Sequence, residues 1–346
     1  MKRISFLSLI ILSSWLSCFP QADYWANLVY FSGCPVSHIP KGITLADKNA
    51  NARLIINMII AGANEEQIKL RLRDSAEFWL NRLAEGKVIE RDDNHLTLKF
   101  PVIADDNRKK LTEMIRSGII NSKIDLSAIL NPLKSELKDR PELVFHFLWS
   151  RVIDDCWWKL YESEFNSRQG PPEIAFIVYP VHPYQCGTNS DYSSDNSQFA
   201  LSWSYSLFSD DFNMPRTIAF FNLAMKTDIS DKDREFFVSH GLIGESGKPK
   251  IFCYPENGRL DRLCNSLKKD YVKLIKGLFD YGSLSKEFNI PPEEMFLIVS
   301  HEVAYEIFSI LDGNKSAVSI PILKKNNPSL DFYPLVSWKL SRHAKK

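Results

Sequence analysis

The 346-residue sequence predicts an α+β protein, and three segments carry this prediction. Residues 49–100 show helical spacing of apolar side chains in three successive stretches, followed by two short stretches with strand patterns. Residues 142–165 form one long helical pattern that is rich in aromatic rings. Residues 171–346 mix strand and helix patterns. We therefore expect an N-terminal helical module with a hairpin, a long aromatic helix and a C-terminal mixed α/β part.

The N-terminus is typical of an exported protein. A basic start at residues 1–3 precedes an apolar run over residues 4–16 that is too short to span a membrane comfortably. This pattern predicts a signal segment within residues 1–22 and no membrane span further along the chain.

Residues 14–18, Ser-Trp-Leu-Ser-Cys, resemble the site at which bacterial lipoproteins are cut before a lipidated cysteine. The resemblance implies a lipid anchor on Cys18 and a location in the cell envelope, with the membrane contacted through that anchor. Ordinary cleavage after Ala22 is the alternative, and it predicts a periplasmic or extracellular protein without the anchor.

Three helices are expected in the N-terminal module. The first covers residues 50–60 and stops near Gly62, because glycine tolerates the backbone angles of a helix end. Asn64 is a favourable cap for a second helix over residues 65–72. A third helix begins after Ser75, which is again a capping residue.

Two strands follow these helices, at residues 88–90 and 95–100, and a turn of Asp and Asn residues joins them. Residues 78–91 are similar to a recognition helix that runs into the first wing strand. The order of helices and strands in residues 49–100 thus resembles the winged helix-turn-helix fold. DNA binding through the third helix is the common role of that fold class.

The charges of this module argue against DNA as its partner. Residues 49–100 contain eight Lys/Arg and eight Asp/Glu residues, and the whole chain has a formal net charge of +1. The outward positions of the third helix are expected to be Asp74, Glu77, Asn81 and Glu85. DNA affinity depends on neutralised phosphates, and an exported protein does not meet a promoter. We therefore predict packing or protein contact rather than nucleic-acid binding.

The central region is expected to be helical. A helix is predicted over residues 105–120, and Pro132 is expected to break the region after it. The long helix over residues 142–165 carries an apolar stripe with extra tryptophan and tyrosine residues, which is typical of core or interdomain packing. The predicted domains are residues 23–120, a helical connector at 121–170, and residues 171–346.

The C-terminal part is predicted to contain strands at residues 174–179, 199–208, 250–254 and 317–323, a loop at 180–198, and helices at 231–240, 259–279 and 293–311. The helix and strand order after residue 231 also suggests a degenerate second winged helix.

The predicted ligand surface lies on the loop and strand at residues 179–205. Amphipathic rings stand there among small polar residues: His182, Tyr184, Tyr192, Trp203 and Tyr205. Rigid rings with small polar neighbours give a large contact area at low entropic cost, which suits a glycan or an extended peptide. Inward packing of Trp203 and Tyr205 is the alternative.

The six cysteines are Cys18, Cys34, Cys156, Cys186, Cys253 and Cys264. No Cys-x-x-Cys spacing occurs, which argues against a zinc ribbon or a thioredoxin-type site. Cys156 is expected to be a buried small hydrophobe. A disulfide is predicted between Cys253 and Cys264, which flank a turn.

Two other groups of residues contain side chains that are used in catalysis. Cys186 and His182 could form a nucleophile and base, although a disulfide from Cys186 to Cys34 is an equally good interpretation. His301 and Glu302 begin like a zinc-protease helix, but Tyr305 stands where the second histidine is needed. We therefore predict no catalytic residue, no metal ligand and no cofactor.

The predicted function is that of an exported, lipid-anchored, non-enzymatic binding or scaffold protein, with a glycan or an envelope protein as partner. An extracytoplasmic hydrolase with a site built from separated residues is the first alternative. A winged-helix DNA-binding protein is the second.

Overall fold

The structure, a computed structural model, describes residues 28–31, 49–92, 95–123, 125–167, 174–179, 186–194, 197–204, 216, 219–220, 223, 228–239, 242–244, 246–313 and 332–338. The chain divides into two compact units. The first comprises described residues from 1–111, 172–181 and 282–298. The second comprises those from 112–171, 182–281 and 299–346. These limits differ from the linear domain boundaries that the sequence suggests at residues 120 and 170.

The first unit contains three helices in its N-terminal half: α1 (Ala50–Ile60), α2 (Glu65–Leu72) and α3 (Ala76–Glu85). Their bounds agree with the predicted helices, but the cap predicted at Ser75 is wrong. Ser75 makes no capping hydrogen bond to α3, because its Oγ donates to the Leu72 carbonyl at 2.9 Å. The Asn49 side chain accepts hydrogen bonds from the first backbone N–H groups of α1. At α2, Asn64 and Gln67 each accept a hydrogen bond from the other's backbone N–H, at 2.9 Å.

A two-stranded antiparallel hairpin follows, formed by β2 (Ile89–Asp92) and β3 (His95–Leu98). Its buried side chains join those of the helices in one apolar cluster that includes Ile55, Ile56, Leu80, Leu83, Val88 and Ile89. The helical spacing seen in the sequence therefore does mark the buried face of each helix.

The first unit also contains a three-stranded sheet of β1 (Leu28–Phe31), β4 (Val102–Ala104) and β5 (Ile174–Tyr179). Strand β5 is central; it runs antiparallel to β1 and parallel to β4. Ala175 and Ile177 of β5 belong to the same apolar cluster as the helices. The sequence predicts β5 with these bounds but does not predict β1 or β4.

The remaining helices are α4 (Asp105–Asn121), α5 (Leu126–Glu136), α6 (Leu143–Phe147), α7 (Trp157–Phe165), α8 (Asp231–Ser239), α9 (Arg259–Ile275), α10 (Tyr281–Phe288) and α11 (Pro292–Gly313). None of the helices that the structure describes is long and apolar enough to cross a membrane. The mixture of helices and short strands makes the protein an α+β protein, as predicted.

The break expected at Pro132 is wrong, because Pro132 lies inside α5. The missing backbone hydrogen bond is offset by burial of Ile129, Leu130 and Leu133 on either side of the proline. Asp125 caps this helix by accepting a hydrogen bond from the Ser127 N–H at 2.9 Å.

The long aromatic helix is continuous from α6 to α7, but its centre is not α-helical. Residues Leu148–Ile153 form a π-helix, and Asp154–Cys156 form a 3-10 turn before α7 begins. Every residue of the π-helix is buried. Such π segments are rare and frequently occur at functional sites.

The second unit contains a four-stranded sheet in the order β6 (Cys186–Ser194), β7 (Ser197–Ser204), β9 (Phe332–Trp338) and β8 (Phe252–Pro255). The loop predicted at 180–198 is therefore wrong over its centre, where β6 pairs antiparallel with β7. Strand β6 pairs through its backbone N–H and C=O groups, which does not require apolar side chains. Its sequence is mostly polar and therefore lacks the alternation of apolar and polar residues that predicts a strand.

Strand β8 pairs in parallel with β9, from the C-terminal region, rather than in a hairpin. A wing consists of an antiparallel hairpin, so this pairing lends no support to a second winged helix. The strand expected at 317–323 lies outside the described residues.

Candidate functional site

The exposed face of α3 and β2 is organised around Arg91. Its Nε and Nη2 atoms donate to the two carboxylate oxygens of Glu65 at 3.0 and 2.6 Å. Its Nη1 atom donates to Glu77 at 3.0 Å and to Asn81 at 2.6 Å. Lys69 completes the cluster, with Nζ 2.7 Å from Glu65 and 3.1 Å from Glu77. We call these five residues the Arg91 cluster.

Electrostatics in the Arg91 cluster favour the charged forms. The hydrogen bond from Arg91 lowers the pKa of Glu65, against the opposing effect of burial. Hydrogen bonds from Arg91 and Lys69 lower the pKa of Glu77. The Glu65 side chain is only 8% exposed, so its charge depends on these cations. The cluster therefore links α2, α3 and β2 through compensated charges.

All four positions predicted to face outward from the third helix are exposed: Asp74, Glu77, Asn81 and Glu85. Two of them, Glu77 and Asn81, hydrogen-bond Arg91 rather than standing free. The sequence missed this because Arg91 lies 14 and 10 residues away along the chain.

The same helix exposes an aromatic ring. Phe78 is 56% exposed, and the guanidinium carbon of Arg82 lies 5.9 Å from its ring centroid. Leu70 of α2 is also largely exposed. Aromatic and arginine side chains are over-represented among residues that dominate protein interfaces.

The predicted ligand surface is only partly described. His182, Tyr184 and Tyr205 lie outside the described residues. Tyr192 is on β6 opposite Phe199, and Trp203 is on β7 opposite Gly187. The sheet thus places these two on paired strands, while the ligand role of all five residues stays a prediction. Cys18, the predicted lipid anchor, also lies outside the described residues.

Cys253 and Cys264 are both free thiols in the structure, so the predicted disulfide is not formed there. Tyr254 of β8 points into the core, and Cys253 beside it is exposed, because successive strand residues face opposite sides. Cys264 is buried on α9. The alternation of β8 therefore separates the two thiols.

Cys156 is buried, as predicted. Desolvation raises the pKa of its thiol to about 12, which makes it unreactive. Asp155, next to it, is paired with Lys268 across 3.1 Å.

The second unit also buries two polar groups of α11, His301 and Glu306. The imidazole of His301 stacks on Trp157, with centroids 5.8 Å apart and an angle of 16°. Burial lowers the pKa of His301 to about 4, so it is neutral at pH 7. Five residues further along the helix, Glu306 is 1% exposed and accepts a hydrogen bond from Arg116 Nε at 2.6 Å. His301 and Glu306 are buried by contacts with other parts of the second unit. The spacing of apolar residues along α11 does not predict such contacts.

Within the part of the chain that the structure describes, no three His, Cys, Asp or Glu side chains converge as metal ligands. Comparisons with protein-family models, with curated proteins and with solved structures found no match.

Proposed function

We propose that this chain is an exported, lipid-anchored, non-enzymatic binding or scaffold protein, in which residues 49–100 form a winged helix that contacts protein rather than DNA. The observation that carries the proposal is the Arg91 cluster. It pairs Arg91, the cation that the proposed wing would offer to DNA, with Glu65, Glu77 and Asn81.

The winged-helix assignment is supported by the order α1, α2, α3, β2 and β3 and by their common apolar cluster. In this fold class the third helix enters the major groove. Here that helix presents Glu77 beside Asn81, and both are bound to Arg91. DNA binding would place phosphates against carboxylates, and the counterion-release contribution to affinity would be small.

Protein contact is supported by Phe78 and Arg82. An exposed aromatic ring with a stacked guanidinium provides both apolar area and a polar tip at an interface. The partner we propose is an envelope protein, with a glycan bound at the surface of residues 179–205 as a further ligand.

Photo-crosslinking tests the protein contact. A photoreactive phenylalanine analogue at position 78 should give a discrete protein adduct in intact cells. The matched control is the same analogue at Val238, an equally exposed apolar position of α8. An identical set of adducts at both positions, or none at position 78, contradicts the proposal.

DNA binding is tested separately by selection from random duplexes at about 150 mM salt, where non-specific binding is weak. We expect no enriched sequence. Recovery of a reproducible motif would show that the DNA-binding alternative is correct.

The glycan surface has its own test. Tyr184→Ala and Tyr192→Ala should weaken binding to a glycan array while the melting temperature stays unchanged. If both variants bind every glycan that the wild type binds, the surface lies elsewhere.

A further inference from the structure

Helix α9 has one buried face and one basic face. The buried face is made by Leu260, Cys264, Leu267, Tyr271 and Ile275. The opposite face is exposed and carries four cations: Arg262, Lys269, Lys273 and, at the C-terminal cap, Lys276. We call these four residues the α9 stripe. The buried face fixes the orientation of the helix, so the stripe points to solvent.

The four cations of the α9 stripe lie along one line. Their spacings of seven, four and three residues place them within about 60° of one another around the helix axis, because successive residues turn by about 100°. At about 1.5 Å per residue, the line is about 21 Å long. A flat surface can therefore contact all four side chains at the same time.

Positive charge is concentrated in this helix. Residues 259–276 contain six Lys/Arg and two Asp/Glu, which gives a formal charge of +4. The whole chain has a formal charge of +1, so the residues outside this segment together carry −3. One of the two acids, Asp261, is 9% exposed and accepts hydrogen bonds from Asn257 and Asn265 rather than from the stripe.

Most of the α9 stripe has no carboxylate partner. In the part of the chain that the structure describes, Lys269 and Lys276 form no ion pair. Arg262 donates to a backbone carbonyl, which carries no net charge. Lys273 is paired only loosely, with Nζ 3.8 Å from Asp270. The charge of the stripe is therefore left for an external anionic partner.

Helix α4 provides an internal comparison, because it also carries four Lys/Arg residues. Lys109, Lys110 and Arg116 each form an ion pair with a carboxylate. Three acids within α4 reduce its own formal charge to +1. A line of cations without carboxylate partners therefore distinguishes α9 from α4.

We propose that the α9 stripe binds the surface of a membrane that contains anionic lipids. The inference rests on the proposed lipid anchor, which would hold the chain at a membrane. Each Lys or Arg near such a surface strengthens binding about five-fold. Within α9, which is described in full, no large apolar side chain is exposed, so the helix lies on the headgroups and does not insert.

Four cations alone give weak and reversible membrane binding, and stable attachment takes a second signal such as an acyl chain. The α9 stripe therefore orients an anchored chain on the membrane and does not hold an unanchored chain there. A membrane is favoured over nucleic acid because an exported, anchored protein meets lipid headgroups and not chromosomal DNA.

Cosedimentation with vesicles tests the proposal. The protein is the full chain with Cys18→Ala, so that no lipid can be attached at that position. The salt concentration is about 100 mM, where charges within about 10 Å still interact. Vesicles of equal parts phosphatidylglycerol and phosphatidylcholine are compared with vesicles of phosphatidylcholine alone. We expect the partition coefficient to be more than about ten-fold higher on the anionic vesicles.

Lys269→Gln/Lys276→Gln should lower the partition coefficient on the anionic vesicles by about 25-fold. The matched control is Lys232→Gln/Lys248→Gln, which removes the same charge from exposed positions of the second unit outside α9. It should lower the partition coefficient less than about two-fold. Both variants should keep the wild-type melting temperature, because all four side chains are exposed.

Equal losses in the two variants, or equal binding of the wild type to both kinds of vesicle, overturn the proposal. Binding to a random duplex DNA that is tighter than binding to vesicles, and that is lost in Lys269→Gln/Lys276→Gln, would assign the stripe to nucleic acid instead. Failure of the proposed anchor is a separate result, because the vesicle assay uses no acylated protein and acylation of Cys18 is read from the intact mass of the native protein.

Discussion

Arg91 shows how a single side chain on a strand ties the first unit together. It bridges Glu65 and Glu77, which belong to different helices. Removing the cation leaves the buried carboxylate of Glu65 with Lys69 as its remaining cation. A buried charge that loses its main partner is destabilising because desolvation is no longer compensated.

We expect Arg91→Ala to lower the free energy of unfolding by about 2–3 kcal/mol. The matched control is Lys99→Ala, which removes an exposed pair with Glu90 at 2.8 Å and should cost less than about 1 kcal/mol. Urea unfolding of both variants measures the difference. Equal losses would mean that the Arg91 cluster behaves as an ordinary surface ion pair.

His301 makes stability depend on pH. Its pKa is lowered from 6.5 to about 4 because burial disfavours the charged imidazole. The unfolded chain therefore binds the proton more readily between these values. Stability from this group is complete above pH 6.5 and is lost as the pH falls toward 4.

This loss should be on the order of 3 kcal/mol. His301→Phe keeps a ring against Trp157 but does not titrate, so its unfolding free energy should fall less between pH 7 and pH 4.5. Urea unfolding at several pH values gives the comparison. An unchanged pH slope in His301→Phe would assign the dependence to other groups.

At the scale of elements, β8 predicts a difference in thiol reactivity. Cys253 is on the outward side of the strand, whereas Cys264 and Cys156 are buried and their thiols have pKa values raised to about 12. The thiolate is the reactive form of cysteine. Burial therefore protects Cys264 and Cys156 in two ways, because it blocks access to the sulfur and raises the pKa of the thiol.

Iodoacetamide should therefore alkylate Cys253 in the native protein and reach Cys156 and Cys264 only after denaturation. Peptide mapping under non-reducing conditions measures all three sites. A peptide pair joined through Cys253 and Cys264 would restore the disulfide that the sequence suggested.

For the whole molecule, the main prediction concerns its cellular location. The basic start and apolar run predict that the native protein has lost residues 1–17 and carries lipid on Cys18. Intact mass of the native protein should show the truncation and the added acyl chains. Cys18→Ala should move the protein from the membrane fraction to the soluble fraction. A native mass that retains Met1, or a Cys18→Ala variant that stays membrane-bound, contradicts this.

Local chemistry determined much of the first unit. The bounds of α1 and α2 follow from Asn49, Asn64 and the apolar spacing between them, because a cap and a helical period act within a few residues. Strand β5 was predicted for a similar reason: its apolar run is continuous and buried.

Tertiary structure alone decided what depends on distant partners. The pairing of β5 with β1 and β4 joins segments far apart in sequence, and β6 is a strand because β7 lies beside it. Arg91 finds Glu65 across 26 residues, and Arg151 is buried by elements that follow it in the chain. The periodicity of apolar residues predicts which face of a helix or strand is buried. The strand that pairs with a sheet edge, and the residue that pairs with a charge, depend on how distant segments pack together.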